Sequence, residues 1–153
     1  MADPSVRVHV RQLRRTDQAV WRHLWRDYLA FYETTVSDAV YETLFERLLG
    51  DDPRDFHGLI AEIDGQPVGL AHYLFHRHGW KIEDVCYLQD LYAAPEARGK
   101  GAGRALIEAV YRAADAMGAP SVYWTTQDFN ATARRLYDRI GTLTPFIKYQ
   151  RPA

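Results

Sequence analysis

A glycine-rich bend flanked by basic residues is the segment of this sequence best suited to chemistry. It runs Arg98-Gly99-Lys100-Gly101-Ala102-Gly103-Arg104, with a glycine at every second position. Because glycine has no Cβ, such a backbone can turn tightly and lets an anion approach its amides. An amphipathic helical pattern follows, and the amides at a helix N-terminus favour negative charge. The segment therefore predicts a diphosphate site, with Arg98, Lys100 and Arg104 adding positive charge around it.

The glycine spacing indicates which class of diphosphate-containing ligand the bend would bind. A phosphate-binding P-loop needs Gly-Lys-Ser/Thr so that a hydroxyl can bind magnesium, whereas here Gly101 and Ala102 follow Lys100. The Rossmann fingerprint is Gly-x-Gly-x-x-Gly at the start of a βαβ unit, and these glycines have another spacing. The bend instead fits the pattern Arg/Gln-x-x-Gly-x-Gly/Ala. At this point the sequence resembles the GNAT superfamily of acetyl-CoA-dependent N-acetyltransferases.

The resemblance extends over about residues 82–141, in the right order. Residues 85–92, which lead into Pro95, resemble the central strand of the family, and residues 121–126 resemble the next strand. The residues that match its last helix are Asn130, Ala133, Leu136, Tyr137, Ile140 and Gly141. A glycine loop alone is weak evidence, but the loop together with this helix is specific.

The resemblance implies an enzyme in which acetyl-CoA is the donor and the acetyl group passes directly to a primary amine. It further implies that the backbone amides of Leu91, Tyr92 and Ala93 hold the thioester carbonyl. Tyr137 would protonate the departing thiolate, and Asn130 would contact the pantetheine arm or the acceptor pocket. The residues so assigned to the coenzyme are Leu91, Tyr92, Ala93, Arg98, Gly99, Lys100, Gly101, Ala102, Gly103, Arg104, Asn130 and Tyr137. The alternative for Tyr137 is core packing beside Leu136 and Ile140.

The general base is where the sequence departs from the family pattern. Many relatives carry Tyr-x-Glu-Asp in the central strand, and here the segment is Tyr87-Leu88-Gln89-Asp90. Gln89 cannot accept a proton at neutral pH, although it can hold a water molecule that does. Asp90 points to the opposite face, because strand side chains alternate. The other candidates for the base are Glu33, Glu42 and His72, and the sequence identifies no single base. We assign Gln89, Glu33 and Glu42 to the acceptor, and Gln89, through such a water molecule, to catalysis together with Tyr137.

A metal site is not expected. His72, His76 and His78 lie close in sequence, but no carboxylate or cysteine completes a set of three or four ligands around them. We therefore expect these histidines to be hydrogen-bonded or solvent-facing.

Hydrophobic periodicity predicts the elements that would position these residues. Strands are expected at 6–13, 56–63, 68–76, 82–92, 121–126 and 146–150, with a hairpin turn at Asp64-Gly65. Helices are expected after Thr16, after Ser37, and over 100–117 and 129–140. The order β-α-α-β-β-β-α-β-α-β is that of the GNAT fold. The resemblance implies a mixed α/β architecture, whose mostly antiparallel sheet is flanked by helices and opens between two parallel strands.

Length and composition predict one domain over residues 1–153. Residues 96–153 carry 9 basic against 5 acidic residues, whereas residues 1–95 carry 10 against 15, which suits an anionic coenzyme and a cationic acceptor. The single cysteine, Cys86, favours the cytoplasm. We expect no membrane segment and no nucleic-acid partner, and the 13% aromatic content makes a homodimer plausible.

Three functions remain open at this stage. The first is acetylation of a small amine, such as an amino acid, diamine or polyamine. The second is acetylation of protein or histone lysines. The third is a catalytically weak regulatory module that binds acetyl-CoA, which the glutamine at position 89 favours.

Overall fold

Within residues 6–153, which the computed structural model describes, five strands form one sheet. They are β1 (Val8–Gln12), β2 (His57–Ile63), β3 (Gln66–His76), β4 (Val85–Ala93) and β5 (Val122–Tyr123), and they lie side by side in that order. The pairs from β1 to β4 are antiparallel, and β4 and β5 are parallel. The sheet is therefore mixed and mostly antiparallel, as predicted.

Four α-helices flank the sheet in the described part of the chain. They are α1 (Gln18–Phe31), α2 (Asp38–Leu49), α3 (Ala102–Ala116) and α4 (Ala131–Ile140). Side chains of α1 and α2 pack on one face, around Ile60 and Leu70 of the sheet. Side chains of α3 and α4 pack on the other face, around Ala71 and Leu88. This alternation follows from the strand pleat, because neighbouring residues point to opposite faces.

Two backbone irregularities are present in the sheet, and the first of them, the hairpin turn, was predicted. Asp64 and Gly65 connect β2 and β3 with φ angles of 51° and 75°, the left-handed conformations that a tight hairpin turn requires. In β4, Leu88 pairs with Tyr73 and Asp90 pairs with His72, which leaves Gln89 as an extra residue. The resulting β-bulge bends the strand just before the residues assigned to the thioester carbonyl.

The predicted strand over 146–150 does not form. Among the described residues, the stretch 142–153 belongs to no helix or strand, and Phe146 and Ile147 are 77% and 78% exposed. The alternating pattern was a correct sign of strand propensity, but a strand needs a partner backbone. β5 is only two residues long, so it offers the tail little edge to pair with.

The start of α1 also differs from the prediction. Thr16 lies inside a short 3₁₀ turn, Arg15–Asp17, and does not cap the helix. The carboxylate of Asp17 accepts the backbone amide of Arg14 at 2.7 Å. It also accepts hydrogen bonds from the guanidinium of Arg11 at 2.8 and 2.9 Å, so that an ion pair holds the chain at the start of α1. Ser37 does occupy the N-cap position of α2, although its side chain makes no capping hydrogen bond.

No helix among residues 6–153 has both the length and the apolar character needed to span a bilayer.

Candidate active site

A cavity opens where the two parallel strands separate. β4 and β5 pair only at Cys86 with Val122 and at Tyr87 with Tyr123, and beyond these residues the strands diverge. The cavity has a volume of about 550 Å³, which is in the range of pockets for small ligands. Its walls are the end of α1, the end of β4, the bend before α3, and α4. The divergence expected from the resemblance is therefore present.

The glycine bend forms the outer wall of this cavity. Gly99 and Gly101 have φ angles of 77° and 87°, a region that residues with a side chain rarely adopt. Among the described residues no backbone carbonyl accepts the amide of Gly99 or Gly101, and the first turn of α3 leaves its own amides free. A Cβ added at Gly99 would meet nothing within 4 Å, so the space before the bend is open. These amides fit the diphosphate of a coenzyme.

The charged residues on the cavity wall are all basic. Arg98, Arg104 and Arg139 line it, and within residues 6–153 no aspartate or glutamate does. Arg104 Nε donates to Glu108 Oε1 at 2.8 Å, one helical turn along α3. Lys100, which the sequence assigned to the coenzyme, does not line the cavity and is exposed. The wall therefore presents a positive surface to an anionic ligand.

The end of β4 turns two amides into the cavity. The amide of Ala94 donates to Val68 of β3 at 2.7 Å. Because backbone amides alternate along a strand, the amide of Tyr92 also points to β3, while those of Leu91 and Ala93 point to the side where β5 has diverged. Of the three residues assigned to the thioester carbonyl, Leu91 and Ala93 present amides to the cavity. Tyr92 lines it with other atoms.

Tyr137 and Asn130 reach the cavity from α4. Burial raises the pKa of Tyr137 to about 12, so the hydroxyl keeps its proton throughout the neutral range. The ring of Tyr137 meets Trp124 edge-on at 5.4 Å between centroids, which fixes its direction. Asn130 caps α4, because its side-chain oxygen accepts the amide of Ala133 at 3.4 Å.

A family model and similar sequences show which protein family the chain belongs to. Residues 18–142 match the model of the acetyltransferase (GNAT) family. The chain belongs to this family. It is 37% identical over 146 residues to the D-amino-acid N-acetyltransferase HPA3 of Saccharomyces cerevisiae, which covers 95% of this chain and 91% of the relative. It is 34% identical over 145 residues to thialysine N-epsilon-acetyltransferase of Bos taurus, covering 88% of this chain and 83% of the relative.

Solved structures agree on the fold. The aminoglycoside N-acetyltransferase AAC(6')-Iy in complex with CoA superposes with a TM-score of 0.81 at 20% identity, and the match covers 99% of both chains. The resemblance drawn from the sequence is therefore confirmed. So is the expectation of an enzyme that transfers an acetyl group to an amine of a small molecule.

In this acetyltransferase the three residues that the sequence assigned to the acceptor lie outside the cavity wall. Gln89 is the exposed extra residue of the β4 bulge. Glu33 follows the end of α1 with a φ angle of 55°, and its side chain is exposed. Glu42 lines a separate open depression, among other acidic residues of α2 and the loop after it. None of the three side chains therefore lies where an acceptor in the cavity would contact it.

His72 is not available as a base, because both of its ring nitrogens are engaged. Nε2 accepts the indole N–H of Trp21 at 2.9 Å, so the ring proton lies on Nδ1 and is donated to Asp90 Oδ2 at 2.8 Å. The histidine is 1% exposed and lies behind the cavity. His76 bonds instead to the hydroxyl of Tyr123 at 2.7 Å. Among residues 6–153 no three metal-ligating side chains converge on one point.

Aromatic residues at the end of α1 form one wall of the cavity. Tyr28, Phe31 and Tyr32 line it opposite α4, and the sequence had placed Tyr28 and Tyr32 in an aromatic row that is either core or acceptor-pocket wall. The rings of Tyr28 and Tyr32 lie 5.2 Å apart, and Tyr28 meets the ring of Tyr92 at 6.3 Å. The available signal was the concentration of tyrosines on the last turn of that helix. A core position seldom needs so many hydroxyl groups.

Proposed function

We propose that this acetyltransferase binds acetyl-CoA along the opening between β4 and β5, with the diphosphate against the bend at Gly99 and Gly101. One observation carries the proposal: the left-handed glycines and the free first-turn amides of α3 border the cavity made by the divergence of the strands. The arginines of the wall supply charge that matches the phosphates. The basic wall also argues against a cavity built only for cations.

The residues of the cavity divide into two catalytic roles. We assign the amides of Leu91 and Ala93 to the thioester carbonyl, because amides fixed in a strand need no reorganisation as negative charge develops on the oxygen. We assign Tyr137 to protonation of the leaving thiolate. Its raised pKa makes it a weak acid that stays loaded at neutral pH, and its contact with Trp124 holds it in place.

The acceptor is proposed to be the amine of an amino acid or a closely related small molecule. The named activities of the two relatives are D-amino-acid and thialysine N-acetylation. The aromatic wall of α1 suits an ammonium group, because ring faces attract cations. Arg98 and Arg139 make no ion pair among the described residues, which leaves them free for a carboxylate or a phosphate.

Thiol release from acetyl-CoA tests this function directly. A panel of D- and L-amino acids, thialysine, spermidine and a histone-tail peptide is incubated with the enzyme, and the free thiol is followed by a colour reaction. We expect release with the amino acids and little with the peptide. Release with the peptide alone would assign the enzyme to protein lysines. Binding of acetyl-CoA by calorimetry without any release would favour the regulatory module.

We also propose that residues 1–153 act as one domain that forms a homodimer in the cytoplasm. The apolar side chains of Leu143, Phe146, Ile147 and Tyr149, in the tail after α4, are 73–89% exposed, and the edge strand β5 is only two residues long. A second copy supplies the partner backbone that the tail lacks. Light scattering is expected to give twice the chain mass, and deletion of residues 143–153 is expected to give one chain mass. A monomeric full chain would refute the dimer.

A further inference from the structure

The extra residue of β4, Gln89, changes which side chains of this strand face each helix layer. Before the bulge, Leu88 packs in the cluster under α3. After it, Tyr92 packs in the cluster under α1, and Asp90 hydrogen-bonds to Trp25 of that helix. If the strand alternated strictly, Asp90 would share the face of Leu88. The bulge therefore places a carboxylate on the α1 face of the sheet.

The bulge also changes which backbone amides of β4 point towards β5. Before it, the amide of Cys86 donates to the carbonyl of Ser121, which directly precedes β5, at 2.8 Å. After it, the amide of Ala94 donates to β3. Because amides alternate along a strand, without the extra residue Ala94 would point to the same side as Cys86. The direction of the Leu91 and Ala93 amides, which enter the cavity, therefore depends on the bulge.

Four buried side chains hold the strand immediately after the bulge, and we call them the Asp90 clamp: Trp21, Trp25, His72 and Asp90. Oδ2 of Asp90 accepts Nδ1–H of His72 at 2.8 Å and the indole N–H of Trp25 at 3.3 Å. The other ring nitrogen of His72 accepts the indole N–H of Trp21 at 2.9 Å. A buried carboxylate is costly to separate from its donors, so this residue is firmly held. Because the carbonyl carbon of Asp90 is bonded to the nitrogen of Leu91, the clamp also holds the peptide plane that carries the Leu91 amide.

We propose that the Asp90 clamp keeps the bulge in register, so that Asp90 is a positioning residue for the amides of Leu91 and Ala93. This inference rests on the proposed function, in which these amides bind the thioester carbonyl. Asp90 does not line the cavity, so it acts through the backbone of β4. Amides that are already aimed at the oxygen need no reorganisation when negative charge develops on it. The clamp also joins β4 to α1, whose following turns carry Tyr28 and Tyr32 of the aromatic wall.

The carbonyl stretching frequency of bound acetyl-CoA reports on these amides directly. Acetyl-CoA labelled with ¹³C at the thioester carbonyl is added to the full chain without an acceptor, and isotope-edited infrared spectroscopy isolates the labelled group. Hydrogen bonds from well-aimed amides polarise the C=O bond and lower its frequency. A loss of stability by itself does not change this frequency in the folded, coenzyme-bound fraction. The other readouts are kcat from thiol release and acetyl-CoA affinity from calorimetry.

The test compares Asp90→Ala with Asp90→Asn. Asp90→Ala removes the acceptor of both donors, so the carbonyl frequency should rise and kcat should fall about 100-fold, as when one oxyanion donor is lost. Acetyl-CoA affinity should stay within about threefold, because the glycine bend is unchanged. In Asp90→Asn the side-chain amide oxygen can accept both donors, since both bind the single oxygen Oδ2. This conservative variant should restore the wild-type frequency and at least about a third of the wild-type kcat.

Ile107→Ala is the control for a loss of stability alone, because Ile107 is fully buried on the α3 face, and it should keep the wild-type frequency. If Asp90→Ala does not fold, Trp25→Phe provides the test: it removes one donor, keeps an aromatic ring, and should raise the frequency by a smaller amount. A wild-type frequency in every folded variant of the clamp overturns the inference. So does an Asp90→Asn variant as impaired as Asp90→Ala, because the charge would then matter rather than the hydrogen bonds. A wild type that releases no thiol would refute the proposed function itself, and the clamp with it.

Discussion

The two faces of the sheet are packed with different chemistry. The face under α3 is mainly aliphatic, and Leu106, Ile107 and Val110 are fully buried against it. Tyr73 and Phe75 are buried in the same cluster. The face under α1 is aromatic and carries polar groups: Trp21 and Trp25 stack at 5.6 Å above His72 and Asp90. Within the described residues, the three buried polar or charged side chains are Asp17, His72 and Asp90, and all lie beside α1 or at its start.

This difference matches the two substrates of the proposed function. A coenzyme bound at the bend before α3 would need a rigid platform behind its amides, and an aliphatic layer provides it without polar groups to satisfy. We propose that the amine lies on the α1 side, where side chains can control its charge. The comparison predicts that mutations on the α3 face reduce stability, whereas mutations beside the cavity reduce turnover.

The largest effect is expected from a cavity in the aliphatic face. Ile107→Ala removes a fully buried side chain of α3, so the free energy of unfolding should fall by about 2–5 kcal/mol. Acetyl-CoA affinity of the folded fraction should stay within about threefold. Urea unfolding and calorimetry measure the two quantities. A loss below about 1 kcal/mol would mean that this face is not closely packed.

The next effect is on turnover. Tyr137→Phe should lower kcat about 100-fold, because the leaving thiolate loses its proton donor, while acetyl-CoA affinity is kept. Tyr111→Phe is the matched control: its hydroxyl donates to the carbonyl of Ile140 at 2.6 Å, outside the cavity wall. Steady-state thiol release compares them. If Tyr137→Phe stays within about threefold of wild type, Tyr137 serves packing rather than acid catalysis.

A smaller loss of stability is expected when the polar network of the α1 face is broken. Trp21→Phe leaves Nε2 of buried His72 without its donor, which should cost about 1–3 kcal/mol. Urea unfolding of the wild type and the variant measures the loss. A loss below about 0.5 kcal/mol would mean that the hydrogen bond between Trp21 and His72 does not stabilise the fold.

The glycine bend permits a closely matched pair. Gly99 and Gly65 have φ angles of 77° and 75°, and a Cβ at either would meet nothing within 4 Å. Alanine at each position should therefore cost a similar 1–2 kcal/mol of backbone strain. Only Gly99→Ala should weaken acetyl-CoA binding, by about 5- to 10-fold, because only Gly99 borders the cavity. If calorimetry gives the two variants equal affinities for acetyl-CoA, the bend is not part of the binding site.

The smallest effect concerns the ion pair at the start of α1. Arg11, through its hydrogen bonds, lowers the pKa of Asp17, so the carboxylate stabilises the fold above its unfolded pKa near 3.8 and loses this contribution as the pH falls through the lowered value. Asp17→Asn should reduce stability by about 1 kcal/mol at pH 7 and by less at pH 2. Urea unfolding at both pH values provides the test. A loss independent of pH would assign the effect to packing.

The sequence was sufficient where function depends on the backbone. Glycines at 99 and 101 predicted a tight turn before a helix, and both adopt left-handed conformations there. The apolar alternation predicted β2 and β3, and Asp64-Gly65 predicted the turn between them. These features are local, because a φ angle or a pleat depends on neighbouring residues. The same reasoning failed for residues 146–150, since strand formation depends on a partner that local sequence does not contain.

The residues near the proposed acceptor were predicted less well, because their arrangement depends on contacts between distant parts of the sequence. Glu33 and Glu42 were chosen because they are acidic and lie in the helical region that usually forms the acceptor pocket in the family, yet neither lines the cavity. Trp25 and Asp90 are 65 positions apart along the sequence, and no spacing rule connects them. Their hydrogen bond requires α1 to pack over β3 and β4.

By itself the sequence determined the glycine bend before α3, the order of the elements from β1 to α4 and the membership of an acetyltransferase family. Only the tertiary structure decided that the carboxylate of Asp90 is buried against Trp25 and which nitrogen of His72 carries the proton. The physical reason is that backbone geometry is fixed by adjacent residues. The charge and protonation of a side chain are fixed by whatever distant groups the fold brings against it.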